Sequence, residues 1–401
     1  MKKQLLLLLV TAFGSLFTAV NPAFAQTWTQ TSAPANQWQA VISSADGSKL
    51  AAVVGGSDGI YTSTNSGATW TSNNAPAPSQ NLYSAAASAD GTKLIVGVAG
   101  GGVYVSTNSG ANWTKTDAPN AYWSSFAASA DGSKFVAAAF QDIYGNPVPV
   151  YISTNSGITW AASSSPSNYW GAVASSADGT KFAVGVFAFT SGGIYTSTNS
   201  GTTWMSNNAP SKPWDAIASS ADGCKVVAVT GGGSIPGGIY ISTNSGTTWT
   251  ETGAPSNYWD SVASSADGAR LIAGAGSSLG GSIYTSTDYG VTWMSNSVPT
   301  NYWWRSVASS ADGNELVAVS SGVYTLRTTP MPVLNMTPAG DNLTVSWLVP
   351  STNFVLQQNS DLTTTNWTVM TNAPVLNLTN LQNQVILSPS GSNAFYRLKT
   401  P

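Results

Sequence analysis

The sequence predicts an all-β fold: a seven-bladed β-propeller closed by an N-terminal strand and followed by a small β-sandwich. Two observations predict the propeller. A pattern of about 44 residues recurs along most of the chain, and each copy contains four short apolar or alternating runs separated by turn signals. The last copy lacks its fourth run, whereas a run of that type, TWTQTSAP at 27–34, precedes the first copy. Such a run can complete the last blade and close the ring.

The first 25 residues have the features of a secretory signal peptide. Two lysines precede an apolar run, and Ala23-Phe24-Ala25 forms a small-x-small cleavage site. The alternative, a membrane anchor, conflicts with Asn21 and Pro22, which interrupt the apolar run before it reaches a spanning length. We therefore expect an exported bacterial protein that is secreted, periplasmic or at the cell surface. The propeller is expected over residues 26–328.

Strands A and B of each copy are joined by the tetrapeptide Ser-Ala-Asp-Gly, which occurs seven times. Asp-Gly between two strands predicts a tight turn, because glycine accepts a positive φ and aspartate bonds nearby amides. Strand A contains very small residues, as expected near the crowded axis of a radial array of sheets. Strand B is a continuous apolar run, which is typical of a strand covered on both faces. A basic residue stands two positions after the glycine in six copies, and we assign it to turn chemistry and solvation.

Strands C and D are joined by an octapeptide that occurs six times, first as STNSGATW at 63–70. Its third residue can bond backbone amides, its glycine can adopt a positive φ, and its tryptophan can pack beneath the turn. Nothing in that list requires a substrate, so we interpret the octapeptides as structural. Their third positions hold Asn65, Asn108, Asn155, Asn199, Asn244 and Asp288.

The pattern Ser-x-Asx-x-Gly-x-x-Trp resembles the Asp-box, or BNR repeat, of sialidases, xyloglucan-cleaving hydrolases, sortilin-type receptors and a photosystem II assembly factor. The resemblance implies a β-propeller in which the boxes are structural turns. Five of the six boxes carry Asn, an exchange that a turn cap tolerates and a repeated acid or metal ligand would not. Sialidase activity is not expected, because the arginine cluster of those enzymes has no counterpart among Arg270, Arg305 and Arg327.

The D–A and B–C loops are expected on the face opposite the Asp-boxes, where every copy supplies an aromatic residue. One interpretation is a platform for sugars or apolar ligands. The other is packing between neighbouring blades, which recurrence in all seven copies favours. The aromatic residues are Trp38, Tyr83, Trp123, Trp170, Trp214, Trp259 and Trp304.

Residues that do not repeat are better functional candidates, because a scaffold requires the same residue in each blade. The position after the loop tryptophan varies, and three consecutive copies place Asp215, Asp260 and Arg305 there. Carboxylates on adjacent inner strands can lie within roughly 10 Å, near the separation of about 6.5–9.5 Å found in inverting glycosidases. These three are the candidate catalytic residues. The alternative is that they only solvate the ends of loops.

Composition excludes several classes of site. The chain has no histidine and one cysteine, which excludes Ser-His-Asp triads, zinc sites and an intramolecular disulfide. Charged residues make up 8% of the chain and the net charge is −3, so a nucleic-acid partner is not expected. We expect no cofactor, no metal and no membrane span, and we expect a monomer. The predicted function is non-catalytic binding of a protein or glycan; the alternative is a glycoside hydrolase or lyase, sialidase-like or xyloglucanase-like, that uses carboxylates at the channel mouth.

The repeat stops after Thr328, and TPMPVL is typical of a linker. Residues 329–401 then show alternating runs sufficient for a small β-sandwich. The pattern FVLQQNSDL…NWT…FYRLK in this segment is similar to a C-terminal module attached to many secreted bacterial proteins.

Overall fold

The computed structural model describes residues 28–56, 59–73, 81–187, 192–231, 235–276, 280–298, 303–327, 334–339, 342–348, 355–360, 366–372, 374–388 and 394–399. The predicted signal peptide lies outside the described residues. All regular elements in the described ranges are β-strands. No helix within these ranges is long and apolar enough to cross a bilayer.

The strands up to Arg327 form seven sets of four antiparallel strands, which we number blades 1 to 7. Blades 2 and 3 are joined in one eight-stranded sheet, because Ala121 and Tyr122 pair with Gly101 and Ala99. Strand β1 (Thr29–Gln30) precedes blade 1. Blade 1 contains β2 (Trp38–Ser43), β3 (Leu50–Val54), β4 (Ile60–Ser63) and β5 (Thr71–Asn73). Blade 2 contains β6 (Leu82–Ala87), β7 (Leu94–Gly101), β8 (Val103–Ser106) and β9 (Thr114–Lys115). Blade 3 contains β10 (Ala121–Ala128), β11 (Phe135–Asp142), β12 (Tyr151–Ser153) and β13 (Ala161–Ala162).

The remaining blades repeat the same order. Blade 4 contains β14 (Trp170–Ser175), β15 (Phe182–Val186), β16 (Ile194–Ser197) and β17 (Met205–Ser206). Blade 5 contains β18 (Ala216–Ser219), β19 (Val226–Val229), β20 (Ile239–Ser242) and β21 (Thr250–Glu251). Blade 6 contains β22 (Trp259–Ser264), β23 (Leu271–Ala275), β24 (Ser282–Ser286) and β25 (Met294–Ser295). Blade 7 contains β26 (Ser306–Ser309), β27 (Glu315–Val319), β28 (Val323–Arg327) and, at its outer edge, β1.

Blade 7 combines strands from both ends of the repeat region. Thr29 pairs with Thr325 and Gln30 with Tyr324, so that β1 lies antiparallel to β28. The Gln30 side chain packs closely against Gly322, because a Cβ on Gly322 would lie only 3.0 Å from Gln30 Nε2. The N-terminal strand therefore occupies the fourth place of a sheet whose other three strands come from residues 306–327.

A circuit of backbone hydrogen bonds links the inner strands of the seven blades. In each blade, the alanine of Ser-Ala-Asp-Gly donates its N–H to the carbonyl oxygen of the corresponding alanine in the next blade, at 2.6–2.7 Å. The last member, Ala311, donates to the first, Ala45. We call this set the alanine circuit, and its members are Ala45, Ala89, Ala130, Ala177, Ala221, Ala266 and Ala311.

The Ser-Ala-Asp-Gly turns are held by their aspartates. In blade 4, Ser176 Oγ donates to Asp178 Oδ1 at 2.6 Å, and the Thr180 N–H donates to the same oxygen at 3.0 Å. Gly179 has φ of 63°, a conformation that favours glycine. Burial opposes ionisation of the Asp178 carboxyl, but these hydrogen bonds outweigh it and lower its pKa.

The basic residue after each turn contacts the next blade rather than only solvent. Lys181 Nζ donates to the backbone oxygen of Asp222 at 2.8 Å, and Lys225 Nζ donates to that of Asp267 at 2.6 Å. Equivalent bonds join Lys49, Lys93 and Lys134 to their neighbours. In blade 7 the position is acidic, and Glu315 pairs with Arg327 at 2.5 Å. The lysines therefore link neighbouring blades, whereas the Glu315–Arg327 pair lies within blade 7.

Each octapeptide forms a compact turn between strands C and D. In blade 1, Ser63 Oγ accepts the Gly67 N–H at 2.9 Å, and Asn65 Oδ1 accepts the Thr69 N–H at 2.8 Å. The indole N–H of Trp70 donates to the Gly67 carbonyl at 3.1 Å. Every partner of these bonds is internal to the turn, as the structural interpretation of the octapeptide requires.

Residues 334–399 form two further sheets within the described ranges. One has the order β29 (Asn335–Ala339), β30 (Asn342–Leu348), β34 (Gln382–Leu387), β33 (Val375–Asn377). The other has the order β32 (Thr368–Val369), β31 (Val355–Asn359), β35 (Phe395–Lys399). They share a buried core of Val345, Trp347, Leu356, Val385 and Leu387. Leu381, with φ of 55°, packs against alanines of the circuit and borders a cavity of about 180 Å³ there.

Candidate functional site

A cavity of about 550 Å³ lies at the end of the blades remote from the alanine circuit. Each blade has a large buried residue at or near the start of strand A, and the residue after it lines this cavity in all seven blades. We call these the mouth positions. They hold Gln39, Tyr83, Ser124, Gly171, Asp215, Asp260 and Arg305. The position after the buried residue thus contributes to one space in every blade.

The three candidate catalytic residues lie in this cavity. Asp215, Asp260 and Arg305 come from blades 5, 6 and 7, and all three line the wall. The charge of Asp215 raises the pKa of Asp260, and that of Arg305 lowers it. The three side chains thus border one concave space, and their catalytic role stays a prediction.

The structure corrects the alignment of Tyr83. Strand pairing places Leu82 opposite Val98, as Trp38 is opposite Val54, so Leu82 takes the buried position in blade 2. Tyr83 occupies the mouth position instead and is 54% exposed. Its ring is therefore available to a ligand, unlike the tryptophans with which it was grouped.

The six tryptophans are not a ligand platform. Their side chains are 0–1% exposed, because each ring is enclosed between two blades. Each also packs against a strand C tyrosine of its own blade with ring centroids 5.3–5.6 Å apart, edge to face. Gly185 of blade 4 makes room for one of them, since a Cβ there would lie 2.6 Å from Trp214 Cβ. The correction applies to Trp38, Trp123, Trp170, Trp214, Trp259 and Trp304.

One side of the cavity is aromatic. Tyr83, Tyr122, Phe140 and Phe187 line it from blades 2, 3 and 4. Phe140 meets Phe187 edge to face at 5.9 Å, and it also contacts Tyr169 at 5.3 Å. We call the four lining residues the aromatic wall. Such a surface can pack against the apolar face of a sugar, an aliphatic chain or another ring.

The other side of the cavity is polar, and Asp260 is its most perturbed group. The pKa of Asp260 is raised to about 7, mainly by burial and also by the charge of Asp215. A hydrogen bond from the Trp303 indole N–H and the charge of Arg305 act in the opposite direction without cancelling the effect of burial. A carboxyl of this kind exchanges its proton near neutral pH.

Trp303 connects the polar groups, and sequence reasoning missed it. Its indole N–H donates to Asp260 Oδ2, and the guanidinium of Arg305 lies over its ring at 4.8 Å. The ring lies directly against Gly276, where a Cβ would collide with it. The available signal was the Trp-Trp doublet, since the second tryptophan fills the repeated buried position and leaves Trp303 without a scaffold role.

A hydrogen bond from the loop after strand B of the same blade holds the Asp215 side chain in place. The Gly231 N–H donates to Asp215 Oδ2 at 2.9 Å. Gly231 has φ of 125°, and a Cβ there would lie 2.5 Å from the carbonyl oxygen of Asn257. A glycine is therefore needed to bring this N–H to the carboxylate.

The third residues of the octapeptides lie away from this site. The turn of blade 1 is tied to the A–B turn of the same blade by a hydrogen bond from the Ser66 N–H to the Ser48 oxygen, at 2.8 Å. The A–B turns are at the end of the blades that carries the alanine circuit. In the described ranges, no group of three or more histidine, cysteine or acidic side chains is arranged to hold a metal ion.

No family model matches this sequence, and no curated protein sequence matches it. Solved structures do share its fold. The chain resembles the GH74 xyloglucanase from Xanthomonas campestris at 15% identity with a TM-score of 0.58, over 80% of this chain and 59% of that one. It therefore spans less than two thirds of the xyloglucanase.

Two other solved structures match along nearly their whole length. YCF48 from Cyanidioschyzon merolae is 15% identical with a TM-score of 0.56, over 75% of this chain and 98% of that one. A second structure, YCF48 bound to D1 peptide, is 15% identical with a TM-score of 0.55, over 76% and 97%. The fold is thus a β-propeller, and it is shared by a hydrolase and by a protein that binds a peptide.

Proposed function

We propose that this protein is an exported, non-catalytic β-propeller that binds a protein or glycan ligand in the cavity at the mouth positions. The observation that supports this proposal is that all seven mouth positions, whose residues differ from blade to blade, line one space of about 550 Å³. Positions needed only for folding carry the same residue in each blade, as the alanine circuit does. Different side chains around one cavity are what ligand recognition on a rigid scaffold requires.

The proposal includes the architecture on which the site depends. We infer one closed ring of seven Asp-box blades over residues 26–328, followed by a β-sandwich-like module over 329–401. Pairing of β1 with β28 and the return of the alanine circuit from Ala311 to Ala45 support the closed ring. The two sheets around Trp347 support the module.

Export and assembly state belong to the same proposal. We propose that residues 1–25 are removed and that the mature chain is a monomer in the periplasm, at the cell surface or outside the cell. Expression of the full chain in a bacterium, with fractionation and N-terminal sequencing of the product, tests the first statement. Light scattering of the purified product tests the second. Retention of an intact N-terminus in the cytoplasm would contradict export.

The binding proposal is tested on glycan and peptide arrays with the mature chain. Tyr83→Ala with Tyr122→Ala removes two exposed aromatic rings from the cavity and should abolish the specific signal. Asp288→Asn is the matched control, because the other five octapeptides carry Asn at that position. Binding that survives the double substitution would place the ligand elsewhere.

A glycoside hydrolase or lyase is the second candidate, and one observation favours it. Asp260 has its pKa raised to about 7 beside Asp215, and a carboxyl that holds its proton near neutral pH suits a general acid. The test is the release of reducing ends or unsaturated products from a polysaccharide panel. Turnover that disappears in both Asp260→Asn and Asp215→Asn would replace the binding proposal; bound glycan without turnover would exclude the enzyme.

A further inference from the structure

The cavity has an uneven distribution of charge and apolar surface. Two carboxylates, Asp215 and Asp260, face it together with one guanidinium, that of Arg305. That guanidinium already lies over the Trp303 ring at 4.8 Å and close to Asp260. Among the described residues that line the cavity, the polar side therefore carries one more acidic than basic group.

The aromatic wall lies on the remaining blades of the same cavity. Tyr83 and Tyr122 are 54% and 43% exposed, so their rings are accessible from the mouth. Aromatic faces attract cations, and they also cover the methylene groups beside a cationic head. Gly171, in the same blade as Phe187 of the wall, contributes no side chain that would separate the wall from Asp215 in the next blade.

Resting on the binding function proposed above, we propose that the cavity selects ligands that carry an ammonium or guanidinium group beside an apolar or aromatic segment. The cationic group lies at Asp215 and Asp260, and the apolar segment lies against the aromatic wall. A lysine or arginine side chain flanked by apolar residues in an extended peptide has this chemistry. In a buried site, a ligand cation adds positive charge beside two carboxylates that share the single guanidinium of Arg305.

An anionic ligand fits the same residues less well. It would have to take Arg305 away from Trp303 and approach two carboxylates, and like charges brought together in a cavity are unfavourable. A neutral sugar can stack on the aromatic wall, but it does not use the excess of carboxylate. Charge is therefore the property that separates the three ligand classes.

The test uses three peptides of one shape. They are acetyl-Phe-Lys-Phe-amide, the same peptide with an acetylated lysine, and acetyl-Phe-Glu-Phe-amide. Binding to the mature chain labelled with 5-fluorotryptophan is followed by ¹⁹F NMR, with the Trp303 signal assigned through Trp303→Phe. The lysine peptide should bind about tenfold more tightly than its acetylated form, and Asp215→Asn should remove that difference.

The pH dependence of peptide affinity is an independent test of the proposal. The charged groups that face Asp260 are Asp215 from blade 5 and Arg305 from blade 7. A cation favours ionised Asp260, so the affinity of the lysine peptide should rise about tenfold from about pH 5.5 to about pH 7.5. Asp260→Asn should flatten this dependence, whereas the control Asp288→Asn should retain it.

The outcomes separate the two proposals. Preference for the lysine peptide with the expected pH dependence supports selection of a cation. Equal or tighter binding of the acetylated or glutamate peptide overturns that selection and leaves the cavity as a binding site. If none of the three moves the Trp303 signal while an array ligand does, selection of a cation fails and the binding function stands. Without a response to any ligand, both fail.

Discussion

The N–H of Ala311 in blade 7 lies 2.7 Å from the carbonyl oxygen of Ala45 in blade 1. This bond joins the two ends of the repeat region and completes the alanine circuit. Hydrogen bonds in such a chain polarise one another, so the loss of one member weakens its neighbours. The circuit is therefore expected to hold the inner strands as a unit rather than as seven separate contacts.

Ala311→Pro tests that expectation. Proline removes the N–H donor, and we expect the free energy of unfolding to fall by about 2 kcal/mol or more, because the Ala45 carbonyl loses its partner. Ala311→Gly keeps the donor and should cost only about 0.5–1 kcal/mol. Urea denaturation of both variants measures the difference. Equal losses would show that the bond contributes nothing beyond the alanine side chain.

Substitutions of Trp259 test whether the buried tryptophans serve packing or ligand contact. Its side chain is fully buried and packs against Tyr284 at 5.4 Å, so Trp259→Ala should destabilise the fold by about 3–5 kcal/mol. Trp259→Leu should cost clearly less, because Leu82 fills the equivalent position in blade 2. Thermal unfolding gives the ranking. A folded Trp259→Leu chain that has lost ligand binding would restore the platform interpretation.

The indole of Trp303 should control the ionisation of Asp260. Its hydrogen bond favours the carboxylate, so Trp303→Phe should move the Asp260 pKa above its value of about 7. A ¹³C NMR titration of labelled aspartate measures the change. Trp249→Phe is the control, since the Trp249 indole donates to Gly246 in an octapeptide. A shift of equal size in the control would contradict the assignment.

Asp260 should also make stability depend on pH. Its pKa is raised in the folded state, so the folded chain binds more protons than the unfolded chain between about pH 4 and about pH 7, and stability falls as pH rises through that window. Asp260→Asn should therefore stabilise the protein by up to a few kcal/mol at about pH 8, since each pKa unit corresponds to about 1.4 kcal/mol. Little change is expected near pH 4. Melting temperatures at the two pH values decide the sign.

The third residue of each octapeptide should tolerate exchange of Asn for Asp, but not the loss of the side-chain oxygen that accepts a backbone N–H. Asp288 Oδ1 accepts the Thr292 N–H at 2.9 Å, as Asn65 Oδ1 accepts the Thr69 N–H at 2.8 Å. Asn65→Asp should thus be nearly neutral, whereas Asn65→Ala should cost about 1 kcal/mol. Chemical denaturation at neutral pH compares the two. If both substitutions lower stability equally, the side-chain oxygen is not what holds the turn.

The repeat made much of the architecture predictable. Four runs per copy predicted four-stranded sheets, and the phase of the mouth position predicted that Asp215, Asp260 and Arg305 would share a cavity. The position of Tyr83 was predicted wrongly, because residues were matched by aromatic type. Only the pairing of Leu82 with Val98 shows that the buried place belongs to the leucine.

The sequence did not predict the contacts within the polar cluster. Trp303 reaches Asp260 across the gap between blades, a contact that no local spacing encodes. The pKa of Asp260 depends on its burial, which arises only when neighbouring blades pack together. The role of the lysines after the A–B turns was incomplete for the same reason, since their partners are backbone oxygens of the next blade.

The mouth positions have a consequence for how such a protein can change. Each comes from a different blade, and the structural bonds of the Ser-Ala-Asp-Gly turns and octapeptides lie at the other end of the strands. Two mouth positions are nevertheless tied to the scaffold. Ser124 Oγ donates to the carbonyl oxygens of Ala138 and Trp170, at 3.1 and 2.8 Å, and a Cβ on Gly171 would collide with the Trp214 carbonyl oxygen. Directed evolution of new ligand preferences is therefore best confined to saturation mutagenesis at the other five mouth positions.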